Sequence, residues 1–359
     1  MDRTRPCPLG ARGVLGSNHD RFEAVHDRLL EVPLRHLRRL ALGEFATIMV
    51  NPTATPWQWF LTIHEGFTEL PLLAEAIRPE SFTANEVPSG SAPPSFKASP
   101  DSRAPSPSLI LGRRRLTLGE VVEVERQPIP ASPSSAPPQP RLVLRGDWSR
   151  VRGIGRGMRC GQLIVEGDAG AGVGADMSGG TLEVLGHAGS FAGAGMSGGT
   201  LRIHGNAGDD CAGAWPGADQ GMSGGWVFVG GRVGARAGRL MRRGHLVIQG
   251  DADQALGWEM IAGSIVVLGR CGPLPGAGMK RGTLLLAQGT DQLPPTFARV
   301  GPFWSPVLTI LLRDLAQRGA FAGQPEGFAD HLARRGWVRF NGDRLHHGLG
   351  ELYLPHDPL

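Results

Sequence analysis

The chain has 359 residues, of which 54 are glycine and 29 are proline, and its formal charge at neutral pH is +4. Glycine is about twice as frequent as in an average protein, but without a three-residue period, which excludes a collagen triple helix. No apolar run is long enough to span a membrane. No Lys/Arg stripe with interleaved aromatic residues indicates nucleic-acid binding. The N-terminus lacks a signal-peptide pattern and the four cysteines form no CxxC pair, so we expect a cytoplasmic protein.

The first 66 residues form no recognisable unit. Arg21–Leu42 has an Arg-rich helical pattern, and an over-extended gene start would explain the whole extension. Residues 67–140 contain linkers rich in proline and serine, because 12 of the 29 prolines lie in the stretch Ser81–Pro140. This composition is typical of disorder. Leu109–Val124 interrupts the stretch with a strand-like pattern. We therefore predict a partly disordered N-terminal region.

Residues 141–290 consist of a 19-residue repeat that methionine marks. Successive methionines are 19 residues apart, except for one step of 26 that contains seven inserted residues. Aliphatic residues follow each methionine by five and by seven positions, and glycine follows it by three. We name each set of equivalent positions a column, numbered by its distance from the methionine. The glycines of column 3 are Gly161, Gly180, Gly199, Gly225, Gly244, Gly263 and Gly282.

This spacing predicts a β-solenoid. Aliphatic residues two positions apart point to one side of a strand. Nineteen residues are too few for a strand, a helix and two turns, but they suffice for one coil whose strand pairs in parallel with the next. The methionines and columns 5 and 7 would then form a continuous core, and the glycines would lie at corners that require a positive φ or exclude a Cβ. We predict an all-β, right-handed parallel β-helix of seven to eight coils, with an incomplete first coil at Leu142–Gly146.

Residues 291–359 are predicted to cap the last coil. Ser305 and Pro306 are a typical N-cap and first helical residue. They precede an apolar helix at Val307–Ala316, and a polar helix is predicted around Pro325–Arg334. The segment that begins at Gly342 is predicted to form a loop and a short strand. A solenoid needs such a cap because its last strand otherwise leaves an open edge.

Column 6 is predicted to face outward, because it lies between two inward columns. It is mixed in the first three copies of the repeat and apolar in the last four. A free monomer rarely exposes an apolar strip of this length. We expect either the helix Val307–Ala316 or a partner protein to cover it. The apolar row consists of Phe228, Val247, Val266 and Leu285.

The repeat offers no convergent set of titratable groups for catalysis. The glycines between Gly153 and Gly157 lie inside the repeat and not between a strand and a helix, so they do not favour a phosphate-binding loop. We predict no catalytic, cofactor-binding or metal-binding residue in this chain. Arginines are clustered in the fourth copy of the repeat and at the start of the fifth, and their simplest interpretation is a solvated basic rim. The cluster consists of Arg232, Arg236, Arg239, Arg242 and Arg243.

The glycine-rich repeat resembles the Gly-x-Gly-x-Gly β-helix of the C-terminal domain of glutamate synthase and of the β-helix subunit of formylmethanofuran dehydrogenase. Three flanking segments resemble that dehydrogenase subunit: Pro71–Val87, Gly146–Met158 and Phe340–Leu352. Met260–Leu286 is especially similar to the bacterial form, the β-helix subunit of the formyltransferase/hydrolase complex. The sequence departs from the family at Leu349, where lysine is usual.

The resemblance implies a non-catalytic scaffold subunit of a hetero-oligomer in one-carbon metabolism. In the bacterial complex, a formyltransferase subunit moves a formyl group from formyl-tetrahydromethanopterin to a methanofuran-like carrier. An amidohydrolase-like, metal-dependent subunit then releases formate. The resemblance implies the same partners and cofactors here, with the metal in the partner subunit. Because the carrier has a glutamate-rich tail, the basic rim would guide it between active sites.

Two other functions remain open at this point. The chain is alternatively the β-helix subunit of a molybdenum or tungsten formylmethanofuran dehydrogenase, which interconverts formate and carbon dioxide. It is otherwise a structural β-helix domain of the glutamate synthase type. Partner subunits distinguish these alternatives.

Overall fold

A computed structural model describes residues 141–356 and the backbone of five earlier strands. The helical pattern predicted at Arg21–Leu42 and most of the proline-rich linkers lie outside the described residues. The predicted strand-like stretch Leu109–Val124 corresponds to three of the five strands. These strands are β1 (Trp57–Ile63), β2 (Leu72–Glu75), β3 (Ser108–Leu111), β4 (Arg114–Thr117) and β5 (Val122–Pro128).

The repeat forms a β-solenoid of eight coils, which confirms the predicted fold. Each coil contributes one strand to a parallel ladder whose register matches the repeat, so that Leu163 lies opposite Leu182 and Leu182 opposite Leu201. A second ladder of single bridges runs along another side of the coils, from Trp148 to Thr290. The strands of coils one to eight are β6 (Arg141–Arg145), β8 (Gln162–Val165), β9 (Ser178–Val184), β10 (Ser197–Ile203), β11 (Ser223–Val229), β12 (Arg243–Ile248), β13 (Ser264–Val267) and β14 (Arg281–Leu286).

The N-terminal strands extend the first coil. β1 pairs in parallel with β6, and β5 pairs with β1 in antiparallel. β2, β3 and β4 form a smaller sheet with β7 (Val151–Arg152). β1 lies within residues 1–66, where the sequence indicates no recognisable unit. Its sequence, WQWFLTI, has the aromatic and β-branched composition of a strand, but it lies too far from the repeat to show the 19-residue pattern.

Three columns of the repeat lie entirely within the core of the solenoid. The seven repeat methionines are fully buried, and columns 5 and 7 are at most 1% exposed. All seven glycines of column 3 have a positive φ, between +77° and +110°. A Cβ atom on Gly199 would lie 2.8 Å from the backbone carbonyl of Gly179 in the preceding coil. The corner therefore requires glycine both for its backbone angle and for its space.

The C-terminal cap contains two helices and three strands. α1 (Pro306–Gln317) begins where Ser305 Oγ accepts a hydrogen bond from the Leu308 amide at 3.3 Å, as predicted, and α2 follows at Phe328–Arg334. The strands are β15 (Ala298–Phe303), β16 (Trp337–Gly342) and β17 (Leu349–Pro355).

The cap differs from the predicted loop and short strand, because its strands continue the sheet. β17 pairs in parallel with β14, which places Leu352 opposite Leu284 and Tyr353 opposite Leu285. β16 and β15 then add in antiparallel order. The last coil is thus closed by a further strand that fills columns 5 and 6.

α1 covers the apolar row of column 6. Phe228, Val247, Val266 and Leu285 are 0–3% exposed and form one cluster with buried leucines of α1. Of the two coverings expected from the sequence, the structure shows the helix over this row. The mixed part of column 6 also contacts the cap, since Arg202 donates 2.8 Å hydrogen bonds to two carbonyls after the end of α1.

Candidate functional site: a basic groove across three coils

A groove of about 880 Å³ crosses coils six to eight of the solenoid. Columns 1 and 2 supply its walls, with Arg242 and Arg243 in coil six and Lys280 and Arg281 in coil eight. The intervening coil contributes the uncharged Ile261 and Ala262. Since neighbouring coils are about 4.8 Å apart, the two cationic pairs are about 10 Å apart.

The groove concentrates uncompensated positive charge. All four cationic side chains are exposed, and among the described residues no aspartate or glutamate lines the groove. Arg242 donates a 3.0 Å hydrogen bond to Gln220, which leaves its charge intact. Within the described part of the chain, no ion pair engages Arg243, Lys280 or Arg281. A concave surface with four cations and no carboxylate attracts anions, and most strongly those with several charges.

The closing segment of the chain brings two histidines, His346 and His347, to the end of this groove. His346 ends a 3₁₀ turn, Arg344–His346, and His347 follows it. Asp343 caps this turn by accepting hydrogen bonds from the amides of Leu345 at 2.9 Å and Gly278 at 3.0 Å. Burial acts to raise the pKa of Asp343, but these amide bonds outweigh it and lower the pKa below its usual value. The charged carboxylate therefore fastens the histidine turn to the last coil.

The predicted basic rim does not form one site. Arg236 and Arg239 pair with the buried Asp210 at 2.7 and 3.1 Å, and this hydrogen bonding raises the pKa of Arg236. Arg232 is exposed but does not line the groove. Columns 10, 14 and 17, which hold these three arginines, occupy other parts of the coil than columns 1 and 2. Only the last two arginines of the cluster, Arg242 and Arg243, reach the groove.

The sequence interpretation missed Lys280, Arg281, His346 and His347 as members of a site. A signal for the first two was available, because they repeat columns 1 and 2 of Arg242 and Arg243 two coils later. Charge clusters are usually sought along the chain, whereas a solenoid places side chains together at multiples of its repeat. The histidines had no such signal, since they lie outside the repeat.

The seven inserted residues place one aromatic side chain, Trp215, beside the groove. A second cavity, of about 560 Å³, lies against the insertion and shares Arg242 and Ile261 with the groove. Its Trp215 stacks on Phe191 with ring centroids 5.1 Å apart, and the guanidinium of Arg156 lies 5.3 Å from the Trp215 centroid. The insertion thus places one aromatic ring, stacked on Phe191 of the repeat, in the second cavity.

Other candidate chemistry in the described residues is limited. Cys211 and Cys271 are buried, and burial raises the pKa of each thiol to about 12, so both are neutral at physiological pH. No three histidine, cysteine, aspartate or glutamate side chains of the described residues converge as a metal site would require. Neither α1 nor α2 has the length and hydropathy of a membrane-crossing helix.

Comparisons with known proteins place this geometry beside one solved assembly. The family profile of the GXGXG motif matches residues 162–298. A chain in the crystal structure of the formyltransferase/hydrolase complex (FhcABCD) from Methylorubrum extorquens, in complex with methylofuran, is 36% identical in sequence. That match covers 70% of this chain and 87% of the other, with a TM-score of 0.59. No curated protein matches. The similarity therefore extends well beyond the repeat.

Proposed function

The chain belongs to the GXGXG family of β-helix proteins that includes a subunit of the formyltransferase/hydrolase complex, and we propose that it is the non-catalytic scaffold of such a complex. The observation that carries this proposal is the match at 36% identity over 87% of a chain from a multi-subunit assembly. A ladder of eight coils spans about 34 Å, at about 4.8 Å per step, and offers neighbouring subunits a rigid surface.

The reaction that we propose for the assembled complex is formyl transfer followed by hydrolysis. A formyltransferase subunit moves the formyl group from formyl-tetrahydromethanopterin to a methanofuran-like carrier, and an amidohydrolase-like subunit that holds the metal releases formate. The complex would act in the cytoplasm, in one-carbon metabolism. In this proposal the present chain binds and orients the other components and supplies no reacting group.

We assign the basic groove to the carrier. A methanofuran-like carrier with carboxylates in its tail presents several negative charges along one chain, which matches two cationic pairs about 10 Å apart. Arg243 and Arg281 have exposed guanidinium groups without a competing carboxylate, so they are free to bind carboxylates in a bidentate manner. The groove would retain the tail while the formylated end moves between the partner subunits.

Reconstitution tests both parts of this proposal. Purified formyltransferase and hydrolase subunits should release formate only when this chain is added. This chain by itself should release no formate. The Arg243→Ala/Arg281→Ala variant should assemble normally but bind the carrier about a hundredfold more weakly, because each charged contact contributes about 1.5 kcal/mol. Arg232→Ala is the matched control, since Arg232 is exposed outside the groove. Turnover by the chain alone would overturn the scaffold, and unchanged carrier affinity would overturn the groove assignment.

A further inference from the structure

α1 is apolar on two faces, of which the described residues of the chain cover only one. Leu308, Leu312 and Leu315 are buried against column 6. Val307 and Ile310, three residues apart on the opposite side, are 73% and 68% exposed. A helix with a single apolar stripe suits the surface of a protein, whereas one with apolar residues all round suits a buried layer. The second face of α1 therefore has the composition of a face that packs against another apolar surface.

The strand that leads into α1 enlarges this exposed surface. Five large apolar side chains within eleven residues are exposed, on the order of 500 Å² in all, which is as large as the functional patches of monomeric proteins. We name them the outer patch: Val300, Phe303, Trp304, Val307 and Ile310.

The outer patch is not suited to strand addition. β15 is the outermost strand of the 13-stranded sheet, so its free edge would otherwise recruit another strand. Pro302 has no amide hydrogen to donate, and the register between β15 and β16 shifts between Arg299 and Gly301. Both features interrupt the free edge. Contact at this surface must therefore come from side-chain packing.

Charge indicates what kind of protein packs there. Between residues 298 and 313 the only charged side chains are Arg299 and Arg313, and Arg313 is paired with Asp330 at 2.7 Å. Arg339, which lies 5.0 Å over the Phe303 ring, is likewise paired with Glu351 at 2.9 Å. Arg299 is therefore the charge of this surface that a contact between two copies of this chain would bring twice. A different protein with carboxylates at the rim of its contact surface would instead complement Arg299.

We propose that the outer patch is the docking surface for a different subunit of the complex. That subunit would present apolar side chains from a helix or loop, rimmed by carboxylates, and would bury Trp304 and Ile310 at the centre of the contact. This inference rests on the proposed function, because it requires that the chain is part of a hetero-oligomer.

The test replaces two exposed side chains in the full chain. Trp304→Asp/Ile310→Asp should leave the melting temperature of the isolated chain within about 3 °C, since both positions are solvent-facing. When the double variant is co-expressed with the formyltransferase and hydrolase subunits, the amount of partner subunit that co-purifies with it should be at least tenfold lower than with the wild type. Leu185→Asp is the control, because Leu185 is an exposed leucine on coil three, away from the patch. The control should assemble like the wild type.

Oxidative footprinting of Trp304 in the wild-type chain supplies a second, fold-independent measurement. Trp304 should be reactive in the isolated chain and at least fivefold less reactive in the complex. Protection in the isolated monomer would show that another segment of this chain covers the patch, and protection in a homodimer would show a second copy there. Either result overturns the inference, as does normal assembly of the double variant. Failure of the wild type to assemble at all would instead overturn the proposed function.

Discussion

At the scale of single residues, the column 3 glycines satisfy two independent requirements of the coil. Gly180 has a φ of +77°, and a Cβ atom there would lie 2.6 Å from Met158 Cε and 2.9 Å from the Gly161 carbonyl oxygen. Gly217, in the insertion, has a similar φ of +82° but no atom within 4 Å of its Cβ position. The two glycines therefore separate the contribution of the backbone angle from that of space.

Gly180→Ala should lower the free energy of unfolding by about 2 to 4 kcal/mol, because both the left-handed backbone and the crowded corner resist a Cβ atom. Gly217→Ala should cost only about 1 kcal/mol, because only the backbone angle opposes it. Urea denaturation of both variants and the wild type measures the difference. Equal losses would show that the neighbouring coil does not limit the corner.

The column 3 glycines could be predicted from the sequence because each one recurs at the period of the fold. The groove could not be predicted in full, because its two histidines come from the closing segment, outside the repeat. Arg236 shows why local clustering misleads: it stands in the same arginine cluster as Arg243, yet its partner is the buried Asp210. Residues close in sequence here lie on different sides of one coil.

At the scale of elements, α1 packs directly on the solenoid and buries the apolar row of its column 6. Val266 is 1% exposed within the cluster that contains Leu308, Leu312 and Leu315. Beyond its C-terminal end the chain is tied down further, because Gln249 donates hydrogen bonds to the carbonyls of Ala320 at 2.9 Å and Ala322 at 3.1 Å. The helix and the sheet thus share one apolar core.

Val266→Asp should destabilise the isolated chain by more than about 3 kcal/mol, because it places an unpaired carboxylate under α1. Val266→Ala is the matched control, with a loss of about 1 to 2 kcal/mol from the removed methyl groups alone. Thermal melts followed by circular dichroism compare the two. A Val266→Asp variant as stable as the control would contradict the packing of α1 on column 6.

The elements were predictable to different degrees for a physical reason. α1 was predicted to within a residue at each end, because its N-cap and its apolar spacing are local signals. The three-stranded cap was not, because β17 finds its place through pairing with β14, more than sixty residues earlier in the chain. Pairing over that distance has no signature in either strand alone.

At the scale of the whole molecule, the solenoid presents separate surfaces for separate tasks. The groove crosses coils six to eight at columns 1 and 2, whereas α1 lies over column 6 and carries two of the five residues of the outer patch. In this proposal, a subunit bound at the outer patch does not cover the groove at columns 1 and 2, so the carrier can bind there at the same time. This division suits a scaffold that holds its partners and a shared carrier at the same time.

The central claim is membership of a formyltransferase/hydrolase complex, and purification of the tagged full-length chain from its native cells, followed by native mass spectrometry, tests it most directly. The account predicts a stable hetero-oligomer that contains a formyltransferase subunit and an amidohydrolase-like subunit in fixed ratio to this chain. A complex with a molybdenum or tungsten pterin oxidoreductase, or a chain that purifies alone, would contradict it.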